Sequence, residues 1–446
     1  MDHLFQSHAI EKTPRAARCM KRERILHFCG EEIRIPRPAR AAGRRKTGQT
    51  KGHNHLKAGI TMHFLTDAQA LEAEMRAFFE DLHQYPEPSH QEVRTNARVR
   101  EALAPHGIEL LTPADNITIA VVHGAHPGKT VGLRFDTDAL QLEELTDLPY
   151  RSLNPGLMHG CGHDAHTTVG VYTARLLQAH RDALCGTYKI IFQPAEEGEH
   201  GAQEVISTGL VQDVDAFYGL HVWSLYPTGT LHASSGSICA EPDMFKITLH
   251  GKGGHGATPH LCTDAVAAGA AVVQSLQHIV SRFVSPMQSV VVTVGSFHAG
   301  TRCNIIAQEA VLEGTLRAFD EDVHAQLLTL FNRIVNDVSH AHGCTADIEI
   351  NEVTGVVIND ERLTRLANEA AAELVSPEAI MPQIPNMLGD DFAEYRRIAP
   401  SCYVQVGMGC PGHDFAHHHG QFCVDERVLP LATAWMAGCA VRAAQP

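Results

Sequence analysis

Nowhere in its 446 residues does the chain hold an apolar run of the ~18 residues or more that a membrane-spanning helix needs. That argues against a membrane protein. Its 12 cysteines form no CxxC pair and keep no disulfide-like rhythm. A disulfide-stapled secreted scaffold is therefore excluded, and a reducing cytoplasm with mostly free thiols is the expected setting. The N-terminal stretch lacks an apolar core of secretory type, and no repeat of solenoid period recurs. Positive charge is also short: the formal net charge is -15, which argues against nucleic acid as the main partner.

The charge is unevenly spread. Residues 1–61 carry 14 Lys and Arg against 5 Asp and Glu, much of it in "RPARAAGRRKTGQTKGHN", and show little apolar periodicity. They read as a basic, disordered extension, and Met62, just ahead of the first helical pattern, offers a second start. The rest of the chain is acidic, and its length suits two or three domains with real cores.

Against this background "MHGCGHDAHTT", residues 158–168, stands out. It holds three histidines, a cysteine and an aspartate, which a packed core does not need and a metal does. The surrounding pattern places it. From Thr66, "TDAQALEAEMRAFFEDLHQYPEP" has helical periodicity behind a Thr/Asp cap and stops at Pro86. "KTVGLRFDTDAL" reads as a buried strand over 130–135 that delivers Asp136 and Asp138 at its carboxyl end. A helix follows the motif with Asp164 as its cap. "GTYKIIFQPAEEGEHG" is a strand running into a loop with Glu196 and Glu197, and "VDAFYGLHVW" is a short strand ending near His221. Three strands thus finish in ligand-type side chains, and sites in open α/β sheets gather at the carboxyl ends of strands.

Between about 239 and 352 the order becomes β-α-β-β-α-β. A strand and the Gly-rich turn "GKGGHGATPH" lead to a helix at about 263–281. The strands "SVVVTVGSFH" and "EAVLEGTLRAF", a helix near 321–340 and the strand "ADIEINEV" complete it. This reads as a small helix-on-sheet domain inserted into a larger α/β domain made of residues 62–238 and 353–446. Helices near 360–374 and 426–442 close the chain.

Cys161 and His163 are close enough to ligate one ion together. Glu197 offers a carboxylate, His221 an imidazole, and the run His417 to His419 further ones. Taken singly, each is more simply a structural or solvated side chain; their recurrence at successive strand ends is what points to a metal. The paired glutamates suggest a division of labour. Hydrolysis at a metal needs one carboxylate on the ion and a second, unligated, to take a proton from water. Asp138 suits the layer behind, accepting the free N–H of a ligand histidine.

In sequence order, "HQYPEPSHQE", "LRFDTDAL", "MHGCGHDAHT", "FQPAEEG", "GLHVW", "GKGGHGATPH", "CNIIAQEAVLEGTLR", "LGDDFAEY" and "HHHGQFCVDE" resemble the aminoacylase/carboxypeptidase-type family of dinuclear metallohydrolases. Within it the chain is most similar to the amidohydrolase subfamily of hippurate hydrolases, indole-acetyl-amino-acid hydrolases and N-acetyl-diaminopimelate deacetylases. The resemblance implies a phosphorylase/hydrolase-like mixed-sheet catalytic domain with an inserted, ferredoxin-like dimerisation and lid domain. It implies two divalent ions per subunit (zinc, manganese, cobalt or nickel) on Cys161, bridging, with His163, Glu197, His221 and a tail histidine. The family's ligand lies four residues before the aromatic of "FCVDE", which indicates His418, flanked by His417 and His419. Glu196 would be the general base. His255 would reach across a homodimer to polarise the scissile carbonyl, with Asn304 near the substrate. Arg317, in "GTLR", would touch substrate or serve structure. Gly160, Ala307 and the pair Asp390–Asp391 depart from the family's usual Ala, Pro and Glu-Asp.

The implied activity is metal-dependent hydrolysis of N-acyl amino acids, hippurate-like or N-acetyl, to a carboxylate and a free amino acid. A dipeptidase or carboxypeptidase of the same family is the alternative. A non-catalytic metal binder or sensor is a third reading, against which the unligated Glu196 argues. No nucleic acid and no membrane partner is expected, and the expected compartment is the cytoplasm.

Overall fold

The computed structural model describes residues 55–198, 200–409 and 415–446. Up to position 54 the expected basic extension lies outside the described residues. α1 (His55–Ala70) begins before position 61 and runs through Thr66. Thr66 and Asp67 therefore lie inside a helix rather than ahead of its first turn. The chain breaks at Leu71, and α2 (Glu72–Gln84) carries it toward Pro86. Tertiary contacts override the local cap signal here. Phe64 is wholly buried, and Asp67 bonds His180 Nε2 at 2.7 Å. Then comes α3 (Val93–Leu103).

Strands β1 (Glu109–Ala114), β2 (Ile117–His123) and β3 (His126–Asp136) lead to α4 (His163–Ala179), β4 (Cys185–Gln193), α5 (Gly201–Ser207) and β5 (Ala216–Pro227). β3 lies between β4 and β5, parallel to both. Burial on both faces explains why its residues from Val131 to Asp136 are all buried and read as a nearly unbroken apolar run. α4 begins after Gly162, so Asp164 is not its cap; its carboxylate is turned to His83 instead. α4 can lie close on the sheet because of Gly170, where a Cβ would come within 2.7 Å of the Phe135 ring. β5 does not stop near His221 but continues to Pro227. β3 pairs with it only over Ala216–Gly219, and continued in that register His221 lies level with Asp136, the last residue of β3.

After β6 (Leu231–His232) and β7 (Gly236–Cys239) the inserted domain begins with β8 (Glu241–His250). β9 (Gly254–His255), α6 (Ala265–His278), β10 (Val290–Ala299), β11 (Ile305–Ile306), β12 (Glu309–Ala318), α7 (Glu321–Ala341) and β13 (Thr345–Glu352) follow. Its four-stranded antiparallel sheet has the order β10-β12-β8-β13, the expected β-α-β-β-α-β unit. α6 is capped by Asp264 and α7 by Asp320, each carboxylate accepting two backbone N–H groups, a contribution of about 1 kcal/mol per cap. α6 ends three residues before the expected 281, in a π turn over Ile279–Phe283. Phe245, Ile247, Leu276, Leu327 and Phe331 belong to a separate core between this sheet and its helices.

β14 (Val357–Asn359), α8 (Glu361–Ala371), β15 (Ile380–Met381), β16 (Ser401–Gly409) and α9 (Leu429–Ala443) complete the larger domain. β16 runs parallel beside β5, giving a mixed sheet of order β1-β2-β4-β3-β5-β16-β6-β15. α9 is buried along its length, and the Trp435 indole N–H donates to Ala367 O in α8 at 2.8 Å. Among the described residues no helix is long and apolar enough to cross a membrane.

Candidate metal centre

Asp138 follows the carboxyl end of β3, Glu196 and Glu197 follow β4, and His221 on β5 lies level with the carboxyl end of β3. Cys161 and His163 sit on the tight approach to α4, where Gly162 adopts φ +91°; a Cβ there would lie 2.6 Å from Val222. The fifth element is the tail. His418 has φ +65°, a left-handed conformation that costs a non-glycine residue on the order of 1 kcal/mol. Its backbone N–H donates to Gly160 O at 2.8 Å, which pins the tail to the motif turn.

These segments converge. Cys161 Sγ lies 3.3 Å from His221 Nε2, and His418 Nε2 lies 3.3 Å from Glu197 Oε1. His163 Nε2 is 3.9 Å from both Glu196 Oε2 and Glu197 Oε1. Ligand atoms of Cys161, His163 and His221 fall within 4.8 Å of one another, as do those of Cys161, Glu197 and His418, and those of His163, Glu196 and Glu197. Of the three tail histidines it is His418 that turns to this cluster. His417 Nε2 donates to Val222 O at 2.9 Å, and burial pushes it down to about 3; His419 stacks on Phe415.

The donor set fits divalent cations. Each ring of His163 and His221 spends one nitrogen elsewhere: His163 Nδ1 on Asp138 O at 2.9 Å, His221 Nδ1 on Val222 O at 2.5 Å. The buried His163 Nε2 is left without a hydrogen-bond partner, as a ligand nitrogen is. Burial, then the charge of Glu197, pushes the Cys161 thiol well above its ordinary range. Burial, then Asp390 and Glu197, pushes Glu196 well above the carboxylate range. Burial together with His166 and His417 holds His221 well below the usual imidazole value. A thiol and a carboxyl that resist losing their protons, beside an imidazole held neutral, make a set whose thiolate and carboxylate forms a cation stabilises.

Asp138 does more than expected. Its Oδ1 is 3.2 Å from His163 Nδ1 and accepts the Glu196 N–H at 3.1 Å, while Oδ2 accepts the Glu197 N–H at 3.2 Å and the Ser89 hydroxyl at 2.8 Å. Burial raises its pKa, but His163 and these donors bring it below the usual value. The loop before Glu196 is held from behind as well: Ala195 has φ +51°, and its N–H donates to the buried Glu92 at 2.8 Å.

Sequence reasoning passed over a second layer. His166 is buried, with Nδ1 2.5 Å from Asp136 Oδ1 and Nε2 accepting the Val222 N–H at 2.9 Å. Arg134, wholly buried, pairs with Asp136, with Asp390 at 3.1 Å and with Asp391 at 2.6 Å. The signal was present: an arginine inside a strand buried on both faces must find carboxylates. Asp136 stands two residues on, while the Asp390–Asp391 pair is more than 250 residues away in sequence and only the packing brings it in.

Over the cluster opens a cavity of about 520 Å³ whose wall includes Glu196, Trp223, Leu225, Met244, Arg317 and Leu388. Arg317 is half-buried and donates to Met387 O at 2.6 Å. His255 and Asn304 come together elsewhere: β9 pairs with β11, and the Gly256 N–H donates to Asn304 O at 2.9 Å. Both are exposed and absent from the cavity wall.

Comparison with known proteins follows the same lines. The profile of peptidase family M20/M25/M40 matches residues 132–442. The thermostable carboxypeptidase 1 of Saccharolobus solfataricus is 36% identical over 371 residues, covering 81% of this chain and 93% of that protein. The N-acetyl-L-cysteine deacetylase of Bacillus subtilis is 35% identical over 373 residues, covering 83% and 88%. The crystal structure of a dinuclear metal binding peptidase of the M20 family, also from Bacillus subtilis, superposes with a TM-score of 0.75 at 32% identity, covering 84% of this chain and 98% of that one.

Proposed function

The chain belongs to peptidase family M20/M25/M40, and we propose from that premise a metal-dependent amidohydrolase that splits N-acyl amino acids into a carboxylate and a free amino acid. It binds divalent metal, as the dinuclear relative does. Cys161, His163, Glu197, His221 and His418 are the proposed ligands of two ions, drawn from zinc, manganese, cobalt or nickel. The observation that carries the reading is the divergence of two adjacent glutamates. Glu197 turns to Cys161 and His418, while Glu196, equally near His163, turns also to Asp390 and Asp391; on this reading Glu196 is the carboxylate left unligated. A protein that only stored or sensed metal has no use for that free carboxylate.

Bound divalent ions supply Lewis acidity, which polarises the amide carbonyl and lowers the pKa of water. Glu196 accepts a proton at a carboxylate oxygen as water adds to the carbonyl carbon, then returns it to the amide nitrogen as the C–N bond breaks. Its Asp138-anchored backbone keeps that oxygen in place through both transfers. Residues 239–352 form the proposed dimerisation and lid domain of a cytoplasmic homodimer. On this reading His255 and Asn304, exposed in one chain, serve the partner's cavity, where His255 donates a hydrogen bond to the developing oxyanion, typically worth about 3 kcal/mol. Arg317 receives the substrate carboxylate.

The test is a hydrolysis panel of N-acyl amino acids and dipeptides, run after chelation and again with Zn²⁺, Mn²⁺, Co²⁺ or Ni²⁺ restored. N-acyl amino acids are expected to be cleaved faster than dipeptides, with activity lost on chelation and regained with metal. A full rate after exhaustive chelation, or faster dipeptide cleavage, overturns the reading.

A further inference from the structure

Strands of the two domains bring different chemistry to the cavity wall. On β5, side chains alternate between faces, so His221, Trp223 and Leu225 share one. The Trp223 ring lies 5.6 Å from that of His221 and 4.9 Å from that of His417. Leu225 follows on the cavity wall, 66% exposed. Met244 and Leu388 on the same wall are exposed as well. Arg317, on β12 of the inserted domain, is the one Lys or Arg among the described residues of the wall. A single exposed leucine carries no message. Large apolar side chains left bare around the mouth of a cavity, beside a metal centre, do.

We propose that Trp223 and Leu225 form an acyl subsite that selects a bulky apolar acyl group, such as an aromatic ring, over acetyl. The inference rests on the amidohydrolase reading above. In an N-acyl amino acid the acyl substituent and the carboxylate lie on opposite sides of the scissile bond. With the carboxylate drawn to Arg317 on the inserted domain, the acyl group is turned toward Trp223 and Leu225 on β5 of the larger domain. The substituent is bonded directly to the carbonyl carbon, so a ring there comes within reach of the indole beside His221. A methyl group is too short to cover Trp223 and Leu225, and leaves both wet.

The test compares kcat/KM for the N-benzoyl and N-acetyl derivatives of one amino acid on metal-loaded wild type, Leu225→Ser, Trp223→Ala and Trp223→Phe. The wild type is expected to favour benzoyl by about ten-fold or more, since even one methylene in an apolar pocket is worth that much. That ratio is expected to fall roughly five-fold or more in Leu225→Ser and Trp223→Ala, and to survive in Trp223→Phe. Leu225 is exposed, so its substitution leaves the core untouched. A wild type that favours acetyl, or a ratio unmoved in both Leu225→Ser and Trp223→Ala, overturns the subsite and leaves the amidohydrolase reading standing. Failure of the metal-loaded enzyme on every N-acyl amino acid overturns that reading, and the subsite with it.

Discussion

His163 directs its Nδ1 at Asp138, 2.9 Å from the backbone carbonyl and 3.2 Å from Oδ1, and so holds its Nε2 toward Cys161 and the paired glutamates. The same carboxylate accepts the N–H groups of Glu196 and Glu197. One aspartate past the end of β3 thus orients a proposed ligand and the loop that carries the proposed base. Asp138→Ala is expected to weaken metal binding by about 10- to 100-fold in competition with a chromophoric chelator. Unchanged affinity would separate Asp138 from the centre.

Glu196→Gln keeps the shape of the side chain and removes its capacity to take a proton. The variant is expected to hold the wild-type metal content by elemental analysis and to lose about 10²- to 10⁴-fold in kcat. A near-normal kcat removes Glu196 from proton transfer; a loss of metal instead makes it a ligand.

Arg134→Met strands Asp136, Asp390 and Asp391 without their buried counter-charge. Removing one partner of a buried ion pair costs about 3–5 kcal/mol, so the denaturation midpoint is expected to fall sharply. A loss below about 1 kcal/mol would mean that water already reaches this cluster.

His83 is buried at the end of α2, and burial alone would lower its pKa. Hydrogen bonds to Asp164 at 2.6 Å and Glu144 at 3.4 Å reverse this and raise it from 6.5 to about 9. A pKa raised by folding means that the folded chain holds the proton more tightly than the unfolded one. The stabilisation is therefore complete below about pH 6.5 and is lost as pH rises through about 9, at most about 3 kcal/mol in all. Unfolding free energies measured across this window are expected to fall in the wild type and to stay flatter in His83→Gln. Parallel curves would assign the slope to other groups.

Much of the architecture could be read directly from the chain. A buried run ending in Asp136 and Asp138, adjacent glutamates after a strand, and a β-α-β-β-α-β order are written in periods of two and of about 3.6 residues. Periodicity of this kind depends on near neighbours alone. Cap signals at Thr66 and Asp164 misled because they are equally local: buried Phe64 keeps α1 continuous, and His83, far away in sequence, claims Asp164. Arg134 and His166 were passed over for the same reason, their partners being set by strand packing.

What the sequence by itself determined is the inventory of donors and the strand ends that carry them, because short-range spacing and burial pattern suffice for both. Only the tertiary structure decided that His418, of three consecutive histidines, faces Glu197. That choice depends on the tail's backbone adopting φ +65° and docking its N–H on Gly160. No neighbour in sequence imposes such a turn. It forms because the closing of the core brings two distant segments within a hydrogen bond's length.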